Sequence, residues 1–296
     1  MSRDHPILPF AATALAVALF SLMDALMKGA SIAIGAYSAL LFRTVIGTML
    51  VAPFWAISRR GRPLLPVPAT LRMHLLRGAV NCAMAVLFFY SLVRLPIAEA
   101  IALSFISPLI ALYLAAILLK EQIGKQAIVA SLLGLAGVAV ITFTRWRGGA
   151  YGVEEWKGVA ALLVSACLFA WNLVLQRRIA QLADPREVAL AQNGVMAAIL
   201  LVFAPWFAVW PQGAELQAIA MSAVLASGSL IILSWSYARA QAQALVPVEY
   251  TGFLWAALFG WLFFSEAVGL ATLSGAMLIV AGCLIAAPRR TEQTAA

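Results

Sequence analysis

The sequence predicts an all-α polytopic membrane protein. Ten transmembrane helices are expected, arranged as two inverted five-helix repeats with both termini cytoplasmic. Three observations predict this. The 296 residues are 64% hydrophobic and only 11% charged, with a mean hydropathy of +0.96, whereas a soluble domain is about half apolar and about 25% charged. Too few polar residues exist to cover a globule with a water-facing surface. The apolar residues also fall into ten runs of membrane-crossing length, and the second five runs echo the first.

Crossing roughly 30 Å of hydrocarbon takes about 20 residues. Runs of that order occupy 7–31, 36–57, 71–93, 97–119, 125–144, 157–180, 187–210, 217–239, 245–265 and 269–287. The first run is too long for a signal-peptide core and is expected to be a retained helix. Punctuation separates the runs: Pro63, Pro66 and Pro68, Gly148-Gly149, Asp184-Pro185 and Pro211. Several gaps are only a few residues long, so neighbouring spans should form antiparallel hairpins. The expected organisation is a first repeat at 7–144, an extracytoplasmic linker at 145–156, a second repeat at 157–287 and a cytoplasmic tail at 288–296.

Orientation follows from the basic residues, which collect on the cytoplasmic side. With ten spans, fourteen Lys and Arg fall on the side of the termini and five on the other, leaving Arg43 inside a span. The net charge of +8 is thus a topology signal, and no basic-aromatic face for nucleic acid accompanies it. Trp55, Trp146, Trp156, Trp206, Trp210 and Trp261 lie near span ends, as an interfacial belt requires. The setting implied is a bacterial-type inner (plasma) membrane.

The echo between halves is positional. Glu121 and Glu266, Gly124 and Gly269, and Gly137 and Gly282 are each 145 residues apart; Phe20 with Phe169 and Lys28 with Arg177 are 149 apart. Five spans per half is an odd number, so the second half enters the membrane upside down. Such inverted halves, meeting near the midplane, are the architecture of secondary transporters.

Catalysis finds no footing. His5 lies in the tail and His74 near a helix start, and no nucleophile–base set or phosphate loop is present. Cys82, Cys167 and Cys283 fall in separate runs without metal or disulfide spacing. No catalytic residue, metal or cofactor is expected. The partners implied are a small-molecule substrate and the lipid bilayer, with a monomer as the working unit.

The run Pro108-Leu-Ile-Ala-Leu-Tyr-Leu-Ala-Ala-Ile-Leu-Leu-Lys-Glu121-Gln-Ile-Gly124, with Gly134-Leu-Ala-Gly137-Val, Ser265-Glu266 and Ala281-Gly282, resembles the drug/metabolite transporter superfamily. Within it, the chain is most similar to the ten-helix EamA-type exporters, over about residues 13–287. The segments Leu19-Phe-Ser-Leu-Met23, Lys28-Gly29 and Phe169-Ala-Trp171 resemble aromatic amino acid exporters. The resemblance implies a central cavity among helices 1, 3, 4, 6, 8 and 9, with helices 5 and 10 peripheral, and export of amino acids or related metabolites. Phe253 stands where the repeat would place a counterpart of Pro108, so helix 9 is expected to be less kinked than helix 4.

Ionisable groups inside spans are costly and ask for a reason. Asp24 and Arg43 lie almost equidistant from the first turn, roughly 12–15 Å deep at 1.5 Å per residue. They are read either as an interior ion pair or as a cavity-facing acid with its scaffold, the acid then meeting an ammonium group or carrying a proton. Lys28 is expected to snorkel at the outer interface. Asn81 and Asn172 can hold a carboxylate or amine, or join helices. Trp171, beside Asn172, suits a flat zwitterion; Met84, Phe88, Trp235 and Tyr250 are further lining candidates. Ser104, Ser107 and Pro108 suggest a local break that frees backbone toward a cavity. Glu99 and Glu249 sit at mirrored depths, as gates at opposite mouths or as structural or solvated helix ends. Ala130 with Gly134 and Ala271 with Gly275 read as close packing of helices 5 and 10. Proton-coupled efflux of cationic drugs is the alternative within transport, and a membrane enzyme or lipid scramblase the alternative outside it.

Overall fold

A computed structural model describes residues 7–58, 68–107, 109–110, 113–114, 125–149, 151–179, 182–183, 185–237, 239, 245 and 248–286. Expectations on His5, Pro63, Pro66, Pro108, Glu121, Gly124, Asp184 and the tail at 288–296 lie outside these residues. So do those on the side chains of Arg177 and Cys283.

Ten α-helices are described: α1 (Leu8–Ile34), α2 (Ala36–Ser58), α3 (Pro68–Leu92), α4 (Ile97–Ser104), α5 (Lys125–Arg147), α6 (Val153–Ile179), α7 (Pro185–Phe207), α8 (Gly213–Tyr237), α9 (Gly252–Phe264) and α10 (Leu270–Ala286). The chain is a polytopic membrane protein. Spans within α1, α2, α3, α6, α7 and α8 are each long and apolar enough to cross a bilayer, and α9 and α10 contain shorter apolar stretches. Helices are the expected response to lipid, where each backbone group must find its partner within the segment.

The turns are tight. Gly35 joins α1 to α2 at φ +84°, a left-handed backbone that disfavours a side chain, and its N–H caps the Ser31 carbonyl. Gly149 (φ +71°) and Gly213 (φ +35°) serve two further junctions. Because successive helices alternate in direction, the junctions at 35, 93–96, 148–152, 208–212 and 265–269 lie at one end of the bundle. We refer to it as the linker end.

Packing follows a pseudo-two-fold that exchanges the halves. α1 packs on α8 and α6 on α3; α1 meets α9 and α6 meets α4; α2 meets α8 and α7 meets α3. The pairs α2 with α7, α4 with α9 and α5 with α10 map onto themselves. The seam between α5 and α10 is a direct backbone approach: a Cβ on Gly137 would lie 2.5 Å from the Gly275 carbonyl oxygen, and one on Gly275 would lie 2.6 Å from that of Gly137. Of the small residues expected to close helices 5 and 10, Gly275 lies on the seam, but the glycine facing it is Gly137; a Cβ on Gly134 would instead lie 2.4 Å from Leu109 Cδ1.

Candidate functional site

α4 stops at Ser104, and Phe105–Ile106 form a turn before helix resumes. The Phe105 amide bonds the Ala102 and Ile101 carbonyls and the Ile106 amide the Leu103 carbonyl, all at 3.3 Å. Ser104 Oγ donates to the Ala100 carbonyl at 2.8 Å and Ser107 Oγ to that of Ser104 at 2.7 Å. Hydroxyls and tight turns therefore absorb what the break frees, which lets irregular backbone persist at membrane depth.

The second half breaks at the equivalent point. Tyr250–Thr251 form a turn immediately before α9, 145 positions after Phe105–Ile106, with Thr251 Oγ1 donating to the Val248 carbonyl at 2.7 Å. Helix 9 is thus interrupted as helix 4 is, correcting the expectation drawn from Phe253. That residue is buried at 7% exposure just inside α9, and the interruption falls before it, at the Tyr250–Thr251 turn. The rings of Phe105 and Tyr250 meet edge to face, centroids 5.1 Å apart. Two like breaks therefore touch across the pseudo-two-fold, the arrangement that forms substrate sites in transporters with discontinuous helices. Phe105 was not singled out from the sequence; its spacing of 145 from Tyr250 was the available signal.

Asp24 lies one turn along α1 from Ser21, whose hydroxyl approaches the carbonyl of Gly252, the first residue of α9, at 3.5 Å. Asp24 and Arg43 interact electrostatically between α1 and α2. The guanidinium carbon lies 5.9 Å from the centre of the Phe89 ring on α3. Arg43 Nε is buried without a hydrogen-bond partner among the described residues. A charged donor next to an acid, with spare hydrogen-bonding capacity, can receive a carboxylate while the acid receives an amine.

The other candidates separate. Asn81, 3% exposed, donates to Met196 Sδ at 3.6 Å and so ties α3 to α7. Asn172, 4% exposed, keeps its Oδ1 buried and unbonded among the described residues. Trp171 turns away from it, 42% exposed on a stripe with Val164 and the free Cys167. Met84 is half-buried, and its carbonyl accepts from Ser165 Oγ at 2.8 Å. Phe88 is half-buried against Phe89, with ring centroids 5.4 Å apart. Trp235 carries the Arg239 guanidinium 4.2 Å above its ring. Ser104 and Glu249 are half-buried, and Glu249 has a partner. At the end opposite the linker, His74 Nε2 lies 3.2 Å from Glu187 Oε1, both buried, which locks α3 to α7.

Lys28 does not snorkel. It is 4% exposed, donates to the Leu95 carbonyl at 2.8 Å and forms an ion pair with Glu266. Burial among four segments of chain leaves its ammonium no path to the interface, so a carboxylate and a carbonyl replace water. Glu99 is not a solvated helix end either. It is fully buried, accepts from the Tyr151 hydroxyl and pairs with Arg145 Nε at 3.0 Å. Burial next to Glu99 holds the Tyr151 phenol above its ordinary range. Tyr151 and Arg145 had no sequence signal beyond their place in the linker.

Comparison with known proteins gives this geometry a context. A solved crystal structure superposes with a TM-score of 0.65 at 23% identity, covering 94% of this chain and 96% of that one; it supports the fold. The pseudopaline exporter of Pseudomonas aeruginosa strain UCBPP-PA14 is 28% identical over 90% of both chains. The S-adenosylmethionine uptake transporter of Rickettsia felis is 25% identical over 88% of this chain and 86% of its own. The riboflavin transporter of Rhizobium johnstonii is 29% identical over 65% and 62%. A model of the EamA-like transporter family matches twice, at 9–143 and 156–287, once per five-helix half. The protein belongs to the EamA-like transporter family and is a membrane transporter of small molecules.

Proposed function

We propose that this transporter exports amino acids or closely related zwitterionic metabolites by alternating access, with aromatic amino acids as the leading class. The observation that carries the reading is an acid and a base inside adjacent spans, Asp24 on α1 and Arg43 on α2, in a bundle whose broken helices α4 and α9 meet at Phe105 and Tyr250. A zwitterion presents an ammonium and a carboxylate a few ångströms apart and exchanges for such a pair without leaving a net charge buried. Phe105, Tyr250 and Phe88 supply aromatic surface for the rest of the substrate, and the Asn172 amide a spare acceptor. The relatives' substrates are metabolites of several kinds, and a methionine-derived one among them fits an amino acid headgroup. Efflux of a cationic drug requires an acid free of a cation, and Arg43 beside Asp24 disfavours it. In the orientation proposed, the termini are cytoplasmic and the linker end is external.

Counterflow tests the reading. Proteoliposomes preloaded with unlabelled phenylalanine and given labelled phenylalanine outside, with no ion gradient, are expected to accumulate label transiently. Asp24→Asn is expected to remove most of the accumulation, and Trp171→Ala reports whether that exposed face meets substrate. Absence of accumulation for phenylalanine and for a panel of other amino acids, with insertion confirmed, overturns the substrate class.

A further inference from the structure

We propose that Lys28, Glu266 and the α3–α4 turn form a gate that seals the linker end, so that this conformation is closed there and opens only when the interlock parts. The inference rests on the alternating-access reading above.

The construction is specific. Pro96 has no N–H, and the polar groups on either side of it are the two taken by the interlock. Lys28 Nζ donates to the Leu95 carbonyl at 2.8 Å, and Ile97 N donates to Glu266 Oε2 at 2.8 Å. Ile97 is the first residue of α4, and Pro96 before it offers no side-chain cap. Glu266, from the second repeat, therefore caps a helix of the first, where a carboxylate also meets the favourable end of the helix dipole. The other Glu266 oxygen pairs with Lys28, whose ammonium lies 5.1 Å from the centre of the Phe264 ring. Gly260 makes room for the acid: a Cβ there would lie 2.8 Å from Glu266 Oε2.

A second tier lies one residue pair deeper. Glu99, in the first turn of α4, is held by Tyr151 of the linker and by Arg145 of α5. The linker is pinned in turn by the edge-to-face contact of Tyr151 with Trp156, centroids 5.3 Å apart. Breaking the first tier frees α1 and the N-terminus of α4 from each other and from the α9–α10 junction, and breaking the second frees α4 from the linker and from α5. The groups involved are buried or half-buried in this conformation but lie at a bundle end, where opening would bring water to them. Buried they are costly unless paired; hydrated after opening, each finds a replacement partner. Such a set is stable in two arrangements and unstable between them, as a gate requires.

The test is accessibility, which needs no knowledge of the substrate. In a chain with Cys82, Cys167 and Cys283 replaced, Ser104→Cys places a thiol in α4 beneath the interlock. Its labelling by a membrane-impermeant maleimide is measured on intact cells and on inverted vesicles. With Lys28 and Glu266 native, labelling from the linker end is expected to be slow. Lys28→Met and Glu266→Gln are each expected to speed it by about a hundredfold or more, the shift produced when the closed state loses a buried pair. The swap Lys28→Glu with Glu266→Lys is expected to restore part of the protection. Hydrogen exchange over 97–104 gives a second readout. Lys28→Met leaves the Ile97 amide and its acceptor in place, so faster exchange there reports opening of the mouth and not loss of one hydrogen bond. Acceleration in both readouts, with the labelling gain confined to the linker-end face, supports the gate; a gain confined to the opposite face overturns it. Unchanged labelling and exchange in folded Lys28→Met overturn it. Failure of phenylalanine counterflow touches neither measurement.

Discussion

Replacing Gly137 by Ala should destabilise the protein, whereas the same change at Gly228 should not. In a helix interior Gly→Ala gains about 1 kcal/mol of propensity, so both variants start with the same favourable contribution. At Gly137 the new Cβ meets the Gly275 carbonyl oxygen and Ile279 Cγ1 at 2.5 Å and Ile279 N at 3.1 Å. Two of those atoms are backbone and cannot swing aside. Relief requires α5 and α10 to part by roughly 1 Å, a gap that forfeits a quarter to a half of each dispersion well along the seam. Overpacking of this kind costs about 1–3 kcal/mol, which outweighs the propensity gain at all but its lower limit. At Gly228 nothing lies within 4 Å of the added carbon, so only the gain remains. Thermal unfolding of purified protein in detergent, followed by tryptophan fluorescence, reads the difference. Gly137→Ala is expected to melt about 2–6 °C below wild type and Gly228→Ala at or slightly above it. Gly275→Ala meets the same obstacle, its Cβ falling 2.4 Å from Ile141 Cγ1. Once the helices have parted for one alanine the second fits the same gap, so the double variant should cost less than the sum. A Gly137→Ala protein as stable as wild type, or strictly additive costs, would show that no backbone contact closes this seam.

Other consequences concern the charged groups. At the Arg145–Glu99 pair the side chains are 27% and 0% exposed; removing the arginine strands a buried carboxylate, whereas removing the acid leaves an arginine that can reach water. Arg145→Ala should therefore lower the melting temperature more than Glu99→Gln, toward the 3–5 kcal/mol typical of a broken buried pair, and the reverse order would contradict the assignment. Glu154→Gln, at the exposed pair with Arg94, should leave melting unchanged. Asn81→Val should lose under about 1 kcal/mol, since interhelical hydrogen bonds in membranes average about 0.6 kcal/mol; loss of counterflow without loss of stability would instead give Asn81 a substrate role. The swap Asp24→Arg with Arg43→Asp should recover the stability lost by either single change but not transport, because the substrate's ammonium and carboxylate would then face like charges. Full recovery of both would reduce the pair to a scaffold.

The class of this protein was written in its composition. Helices at near-complete hydropathy, short gaps and the 145-residue spacing are local or periodic features, and lipid leaves the backbone little choice but helix. Asp24 and Arg43 stood out for the same reason: a charge inside an apolar run is legible wherever the run folds. The fate of Lys28 was not legible. Its position near a span end suggested the interface, and only the assembled bundle brings Glu266, 238 residues away, and the Leu95 carbonyl to its ammonium. The break in helix 9 was missed because the expectation rested on one equivalent position, Phe253 against Pro108, while the interruption there falls at the turn Tyr250–Thr251. Asn172 and Trp171 are neighbours in the chain and part company in the structure, one buried and one exposed, because 100° of helical rotation separates them. Chain order sets which groups a helix carries; which of them meet depends on the rotation, tilt and partner of each helix, and packing alone supplies those.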